Sequence, residues 1–83
     1  MMIVFSKSAF VQLSKFEKAM QARIINKLEF YGLQSNPLEF AEKLSGSQFG
    51  DYRFRIGEFR VLFDINKEII TILKIGHRRE VYK

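Results

Sequence analysis

From Tyr52 to Phe63 the chain alternates apolar residues with arginines, breaks at Gly57-Glu58, and then alternates again. A period of two marks strands with one apolar and one polar face, and glycine at the first central position of a two-residue loop suits a type II′ hairpin turn. That loop sets Ile56 opposite Phe59, Arg55 opposite Arg60, Phe54 opposite Val61 and Tyr52 opposite Phe63. The apolar residues then share one face, with Arg53, Arg55 and Arg60 on the other. Upstream, Ile3-Val4-Phe5 reads as a short first strand, and Ser6 or Ser8 can cap a helix behind it by accepting from its first free amides. Apolar positions Phe10, Leu13, Phe16, Met20, Ile24, Leu28 and Tyr31 follow at spacings of three and four and end near Gly32. No proline or glycine interrupts this stripe, so the pattern by itself allows one long helix.

Asn36-Pro37 starts a turn, and Leu38 to Leu44 reads as a short helical turn before Ser45-Gly46. The helical region serves to cover the apolar sheet face, where each fully buried large side chain contributes roughly 1.5–3 kcal/mol. The last strand spans about Glu68 to Ile75 and carries apolar residues at both parities, which suggests an interior strand covered on both sides. A two-residue loop at Asn66-Lys67 would put Ile70, Ile72 and Lys74 on the face of Phe63, whereas a three-residue loop would put Ile69, Leu73 and Ile75 there. The second register is preferred because it keeps Lys74 out of the core. Either one delivers His77 and Arg78 to the end of the sheet at or beside the Gly57 turn.

The 83 residues make a single small domain, 1–83, without linker, repeat or low-complexity segment. At 47% hydrophobic with nine phenylalanines, the chain can build a core. The absence of cysteine excludes a disulfide scaffold, thiol chemistry and a cysteine–zinc site, and a single histidine argues against a structural metal centre. Residues Met1 to Lys7 are too short for a signal peptide and no apolar run approaches a membrane span, so a cytoplasmic protein is expected. The net charge of +5 suits a nucleic acid or an acidic protein partner, although a plain solvated basic surface would give the same number. The arrangement of the arginines says more. Arg53, Arg55 and Arg60 crowd one sheet face, where like charges repel unless an anion belongs there. Phosphate is such an anion, since the planar guanidinium fork can pair two of its oxygens.

Gly76-His77-Arg78-Arg79-Glu80-Val81-Tyr82-Lys83 follows the last strand. Together with Leu44-Ser45-Gly46 and the Tyr-Arg-x-Arg-x-Gly-x-x-Arg hairpin, it resembles the RelE/ParE family of small bacterial and archaeal toxins. Gly-His-Arg alone is a weak signal, and the ordered combination carries the resemblance across nearly the whole chain. The fold it implies is α+β: an N-terminal strand and an antiparallel helical hairpin packed on a small, mostly antiparallel sheet of about four strands. The hairpin turn then falls near Ser14 to Glu17.

In the RelE branch, the resemblance implies a toxin of a type II toxin–antitoxin system, a ribosome-dependent endoribonuclease that cleaves mRNA in the A site. The ribose 2′-OH attacks the adjacent phosphodiester and leaves a 2′,3′-cyclic phosphate and a 5′-OH, with no metal and no cofactor expected. Such chemistry asks for a proton acceptor, positive charge over the phosphorane, and a donor near the leaving oxygen. Arg60 matches the family's transition-state arginine, Arg78 the arginine near the leaving oxygen, and Tyr82 the near-terminal tyrosine that acts as base or stacking platform.

Arg53 and Arg55 stand where ribosome-dependent relatives carry lysines, and arginine cannot give up its proton. The acid–base work would then pass to Tyr82 or His77. Arg53, Arg55, Arg79 and Lys83 are the expected RNA contacts, although the arginines could equally form a solvated face or meet an acidic antitoxin. His77 could equally be a turn or cap residue, and Tyr82 could simply pack its ring on the sheet. Two further functions stay open: a ParE-like poison of DNA gyrase acting by protein contacts, and a catalytically inactive toxin-like regulator. The partners implied are mRNA, the ribosome and a cognate antitoxin with an acidic toxin-binding segment.

Overall fold

In the computed structural model, which describes residues 1–83, β1 (Met2–Phe5) leads into α1 (Lys7–Ser14) and α2 (Lys18–Leu33). A 3-10 turn at Pro37–Phe40 and the strands β2 (Ala41–Lys43), β3 (Tyr52–Ile56), β4 (Phe59–Asn66) and β5 (Ile69–His77) complete the chain. The strands form one five-stranded sheet in the order β1-β5-β4-β3-β2, with β1 parallel to β5 and every other pairing antiparallel. The α+β class is as expected, with one strand more than the resemblance implied.

That extra strand is β2. Proline at the first position starts a 3-10 turn because its fixed φ suits it and its missing N–H is not needed there. The turn ends at Phe40, and Ala41, Glu42 and Lys43 pair with Phe54, Arg53 and Tyr52 instead of continuing the expected helical turn to Leu44. Three residues are too few to show an alternation in sequence.

Ser6, rather than Ser8, caps α1, its hydroxyl accepting from the Ala9 amide at 3.1 Å. The helical region breaks at Lys15–Glu17 without glycine or proline, because Gln21 supplies the missing donors. Its side-chain amide donates to the carbonyls of Ser14 and Phe16 at 3.2 and 2.8 Å, which the helix end would otherwise leave unpaired. The break turns α1 so that Ala9 and Leu13 face the sheet, and Phe10, expected in the apolar stripe, is 62% exposed.

The core lies between the helices and one sheet face. Ala9, Leu13, Ile24, Leu28 and Tyr31 meet Phe54, Ile56, Val61, Phe63, Ile70, Ile72 and Ile75. Tyr31, Phe54 and Phe63 stack in series with ring centroids 4.3 and 4.2 Å apart, and Tyr52 extends the series at 5.7 Å from Phe63. The Gly57 hairpin has the expected register throughout.

For β5, the preferred register fails over its first half. The turn is Lys67-Glu68, since Asn66 pairs with Ile69, and Ile70 and Ile72 enter the core while Ile69 is 42% exposed. A bulge at Leu62/Phe63 then shifts the phase by one residue, so Val61 pairs with Ile75, Ile75 is buried, and Lys74 stays out of the core. One extra residue, Leu73, lets β5 present both parities to the same core. β5 is interior, between β1 and β4, as its composition suggested. No helix is long and apolar enough to cross a membrane.

Candidate nucleic-acid interface

The sheet face turned away from the helices gathers most of the candidate residues. Registered neighbours Glu42, Arg53, Leu62 and Lys74 form one row across β2 to β5, and Arg55, Arg60 and Gly76 form the next. After β5 the chain folds back over this face. Amides of Glu80 and Val81 donate to the His77 carbonyl at 2.8 and 2.9 Å, and Val81 buries itself against Gly76. A Cβ added at Gly76 would meet the Val81 side chain at an ordinary contact distance of 3.5 Å. The fold-back returns Tyr82 to β3.

Arg60 is the one buried charged residue, 6% exposed. Its Nη1 donates to the carbonyls of Gly57 and Phe59, both at 2.9 Å. No carboxylate oxygen lies within 4.0 Å of it, all four ion pairs in the protein involving other residues. The Arg60 charge helps to lower the Glu42 carboxyl.

Arg53 is differently placed. Its Nε and Nη2 pair with the two oxygens of Glu42 at 3.2 and 3.3 Å, and Nη1 donates to the Tyr82 phenol oxygen. The guanidinium carbon also lies 5.7 Å from the centroid of the Tyr82 ring. The bond from Arg53, with the nearby charges of Arg53, Arg55 and Arg60, holds Glu42 below the usual carboxylate range, and the bonds to Glu42 and Tyr82 raise Arg53. Arg55 is more exposed, 3.7 Å from Glu42 and directly opposite Arg60.

Arg78 sits at the hairpin end, its amide donating to the Glu58 carbonyl at 2.8 Å and its Nε 2.7 Å from the Glu58 carboxylate. Arg79 is exposed on the turn, and Lys83 lies 3.8 Å from Glu80. His77 is not brought into the cluster. It is registered with Phe59, on the helix side of the sheet, its ring 5.9 Å from that phenylalanine, and its Nδ1 accepts from the Arg79 amide at 3.1 Å. That is the turn-capping role, one of the two open to it from sequence.

Three residues of this face were missed from sequence. Glu42 lay in a stretch read as helical, so its place beside Arg53 was invisible. Lys74 reaches the Lys83 carbonyl at 3.2 Å and stands 4.3 Å over the ring of Phe49. Phe49 and Tyr82 line a cleft of about 360 Å³ with Ser45, Gly46, Gln48 and Lys83. The Leu44-Ser45-Gly46 motif was the only signal pointing there. No group of three or more histidine, cysteine, aspartate or glutamate side chains is placed to hold a metal ion.

The family model described as ParE toxin of type II toxin–antitoxin system, parDE, matches residues 3–82. The chain belongs to this toxin family. Solved structures place it in the wider RelE/ParE group. It is similar to a chain of the RelBE2 toxin–antitoxin complex from Mycobacterium tuberculosis, with a TM-score of 0.75 and 26% identity, covering 93% of this chain and 96% of that one. A chain of the RelE–RelB complex from Pyrococcus horikoshii gives 0.72 and 28%, covering 96% and 97%. A chain of the RelB–RelE complex from Methanococcus jannaschii, at 0.69 and 23% over 96% and 95%, shares the fold. No curated protein matches the sequence. The chain is therefore a RelE/ParE-type toxin of a type II toxin–antitoxin system. Its family model carries the ParE name while these structural relatives are RelE complexes.

Proposed function

We propose that this toxin is an endoribonuclease that cuts mRNA in the ribosomal A site and is neutralised by an antitoxin with an acidic toxin-binding segment. The observation that carries the reading is Arg60, a residue 6% exposed whose guanidinium has no carboxylate partner, on a face shared with Arg53, Arg55 and Tyr82. Burying a charge without a counter-ion is unfavourable, and an anionic transition state is what would repay it.

In the proposed reaction the ribose 2′-oxygen bonds to phosphorus as the bond from phosphorus to the 5′-oxygen breaks. The 2′-OH proton leaves to a base and the 5′-oxygen gains a proton. Arg60 stabilises the charge on the non-bridging oxygens, Tyr82 is the proton-transferring group, and Arg78, at the hairpin end, serves the leaving oxygen. Arg55, Arg79 and Lys83 hold the RNA backbone, and His77 supports the turn that carries Tyr82. The antitoxin reading is supported by the family and by the two solved relatives above 25% identity, both toxin–antitoxin complexes.

A second reading, poisoning of DNA gyrase through protein contacts, is favoured by the ParE family match. Growth arrest on induced expression separates the two. The nuclease reading expects Arg60→Ala and Tyr82→Phe each to relieve arrest while the protein stays folded. Arrest unchanged in both, with DNA damage, would move the assignment to gyrase.

A further inference from the structure

We propose that Glu42 is a positioning residue of the site, holding Arg53 so that Arg53 in turn holds the Tyr82 phenol. The inference rests on the nuclease reading above and deepens it. Its basis is the distribution of the Arg53 donors. Arginine offers five N–H groups in a rigid plane on three nitrogens. Here every one of those nitrogens has a partner: Nε and Nη2 on Glu42, Nη1 on Tyr82. Three of the five N–H groups of Arg53 are thus engaged within the protein. They join an edge-strand carboxylate to the phenol.

Tyr82 needs such a tether. Tyr82 is 52% exposed, and its neighbour Val81 is the buried anchor of the turn. A tyrosine there would sample many rotamers, and proton transfer requires the phenol to stay within about 3 Å of its target. The planar fork fixes the phenol oxygen while the guanidinium also faces the ring at 5.7 Å. Glu42 fixes the fork from the far side, with both carboxylate oxygens engaged, and it is itself fixed by the β2–β3 register that sets it opposite Arg53. The charged groups around this relay are Arg55 and Arg60 from β3 and β4, Lys74 from β5 and Lys83 beside Tyr82. Glu80 is paired with Lys83, and Glu42 is the carboxylate bonded to Arg53.

The relay asks for an arginine rather than a lysine at this position. An ammonium is a point donor and cannot span a carboxylate and a phenol in one plane.

The test is single-turnover cleavage of mRNA on programmed ribosomes at varied toxin concentration, with Glu42→Gln and Arg53→Lys beside Arg60→Ala. NMR of the isolated protein would monitor the Arg53–Tyr82 NOE. Expected for Glu42→Gln are a maximal rate lower by roughly tenfold to a hundredfold, as for other outer partners of a reacting group, and half-saturation unchanged or lower, because the face gains positive charge. Arg53→Lys should lose a similar factor in maximal rate, and the Arg53–Tyr82 NOE should vanish in Glu42→Gln. A lower half-saturation with unchanged maximal rate would overturn the inference and make Glu42 a mere repeller of RNA. Full activity in Arg53→Lys, or an NOE that survives Glu42→Gln, would overturn it as well. If the wild-type protein does not cleave, the nuclease reading fails, and the NOE still decides whether Glu42 holds Arg53 on Tyr82.

Discussion

Replacing Arg60 with methionine should separate what this residue does for the fold from what it does for chemistry. Methionine fills a similar volume with a flexible apolar chain. Lost are two hydrogen bonds from a charged donor to the Gly57 and Phe59 carbonyls, about 1.5–3 kcal/mol each by mutational series. Gly57 is exposed, so water can replace part of that loss at the turn. Gained is the desolvation penalty of a buried, carboxylate-free guanidinium, several kcal/mol in real proteins. A further few tenths to 1 kcal/mol comes from removing a like charge directly opposite Arg55.

These terms nearly cancel. Stability should therefore stay within about 1 kcal/mol of wild type, a Tm change under roughly 8 °C for a domain of this size. Cleavage should fall by about 10²–10³, the usual loss when a transition-state charge stabiliser is removed. Urea denaturation and calorimetry give the first quantity and primer extension the second. A destabilisation above about 2 kcal/mol with cleavage intact would refute the reasoning and make Arg60 a structural residue.

Other outcomes follow from single positions. Glu42 is held below the usual carboxylate range, chiefly by its bond to Arg53. Its ion pair therefore stabilises the fold above the unfolded value and is lost only as pH falls through the lower folded one. The Arg53–Tyr82 NOE should persist at about pH 4.3, the ordinary glutamate midpoint, and its disappearance by then would contradict this. Gly50 has φ +102 and an added Cβ would lie 2.5 Å from the Phe63 carbonyl oxygen. Gly50→Ala should cost about 2–4 kcal/mol in urea denaturation, and a loss under 1 kcal/mol would mean the loop shifts freely. Lys67 holds φ 57 at an exposed turn, so Lys67→Gly should raise stability by about 0.5–1 kcal/mol. A clear loss of stability there would show that the lysine side chain, not its backbone, matters at the turn.

Much of the fold was legible because its signals are local. The Gly57 hairpin is written in one alternating run with a turn glycine, and its register follows from loop length alone. β5 was harder, since its phase shifts where Leu73 is left without a partner opposite Leu62/Phe63. β2 could not be read at all, because three residues gain strand character only from pairing with β3. The site divides in the same way. Arg53, Arg55 and Arg60 were placed on one face by period two, and the C-terminal motif pointed to Tyr82. Glu42 reaches them through tertiary pairing and left no trace in spacing, while spacing kept Lys74 out of the core without assigning it to the site. His77 looked like the natural acid–base group by chemistry, but its parity on β5 sets it on the helix side with Phe59.

The most direct test of the ribonuclease assignment is primer-extension mapping of mRNA exposed to the purified toxin, with and without programmed ribosomes. Cuts confined to the A-site codon, present only with ribosomes and abolished by Arg60→Ala, are the expected result. No cuts in either condition would contradict the assignment.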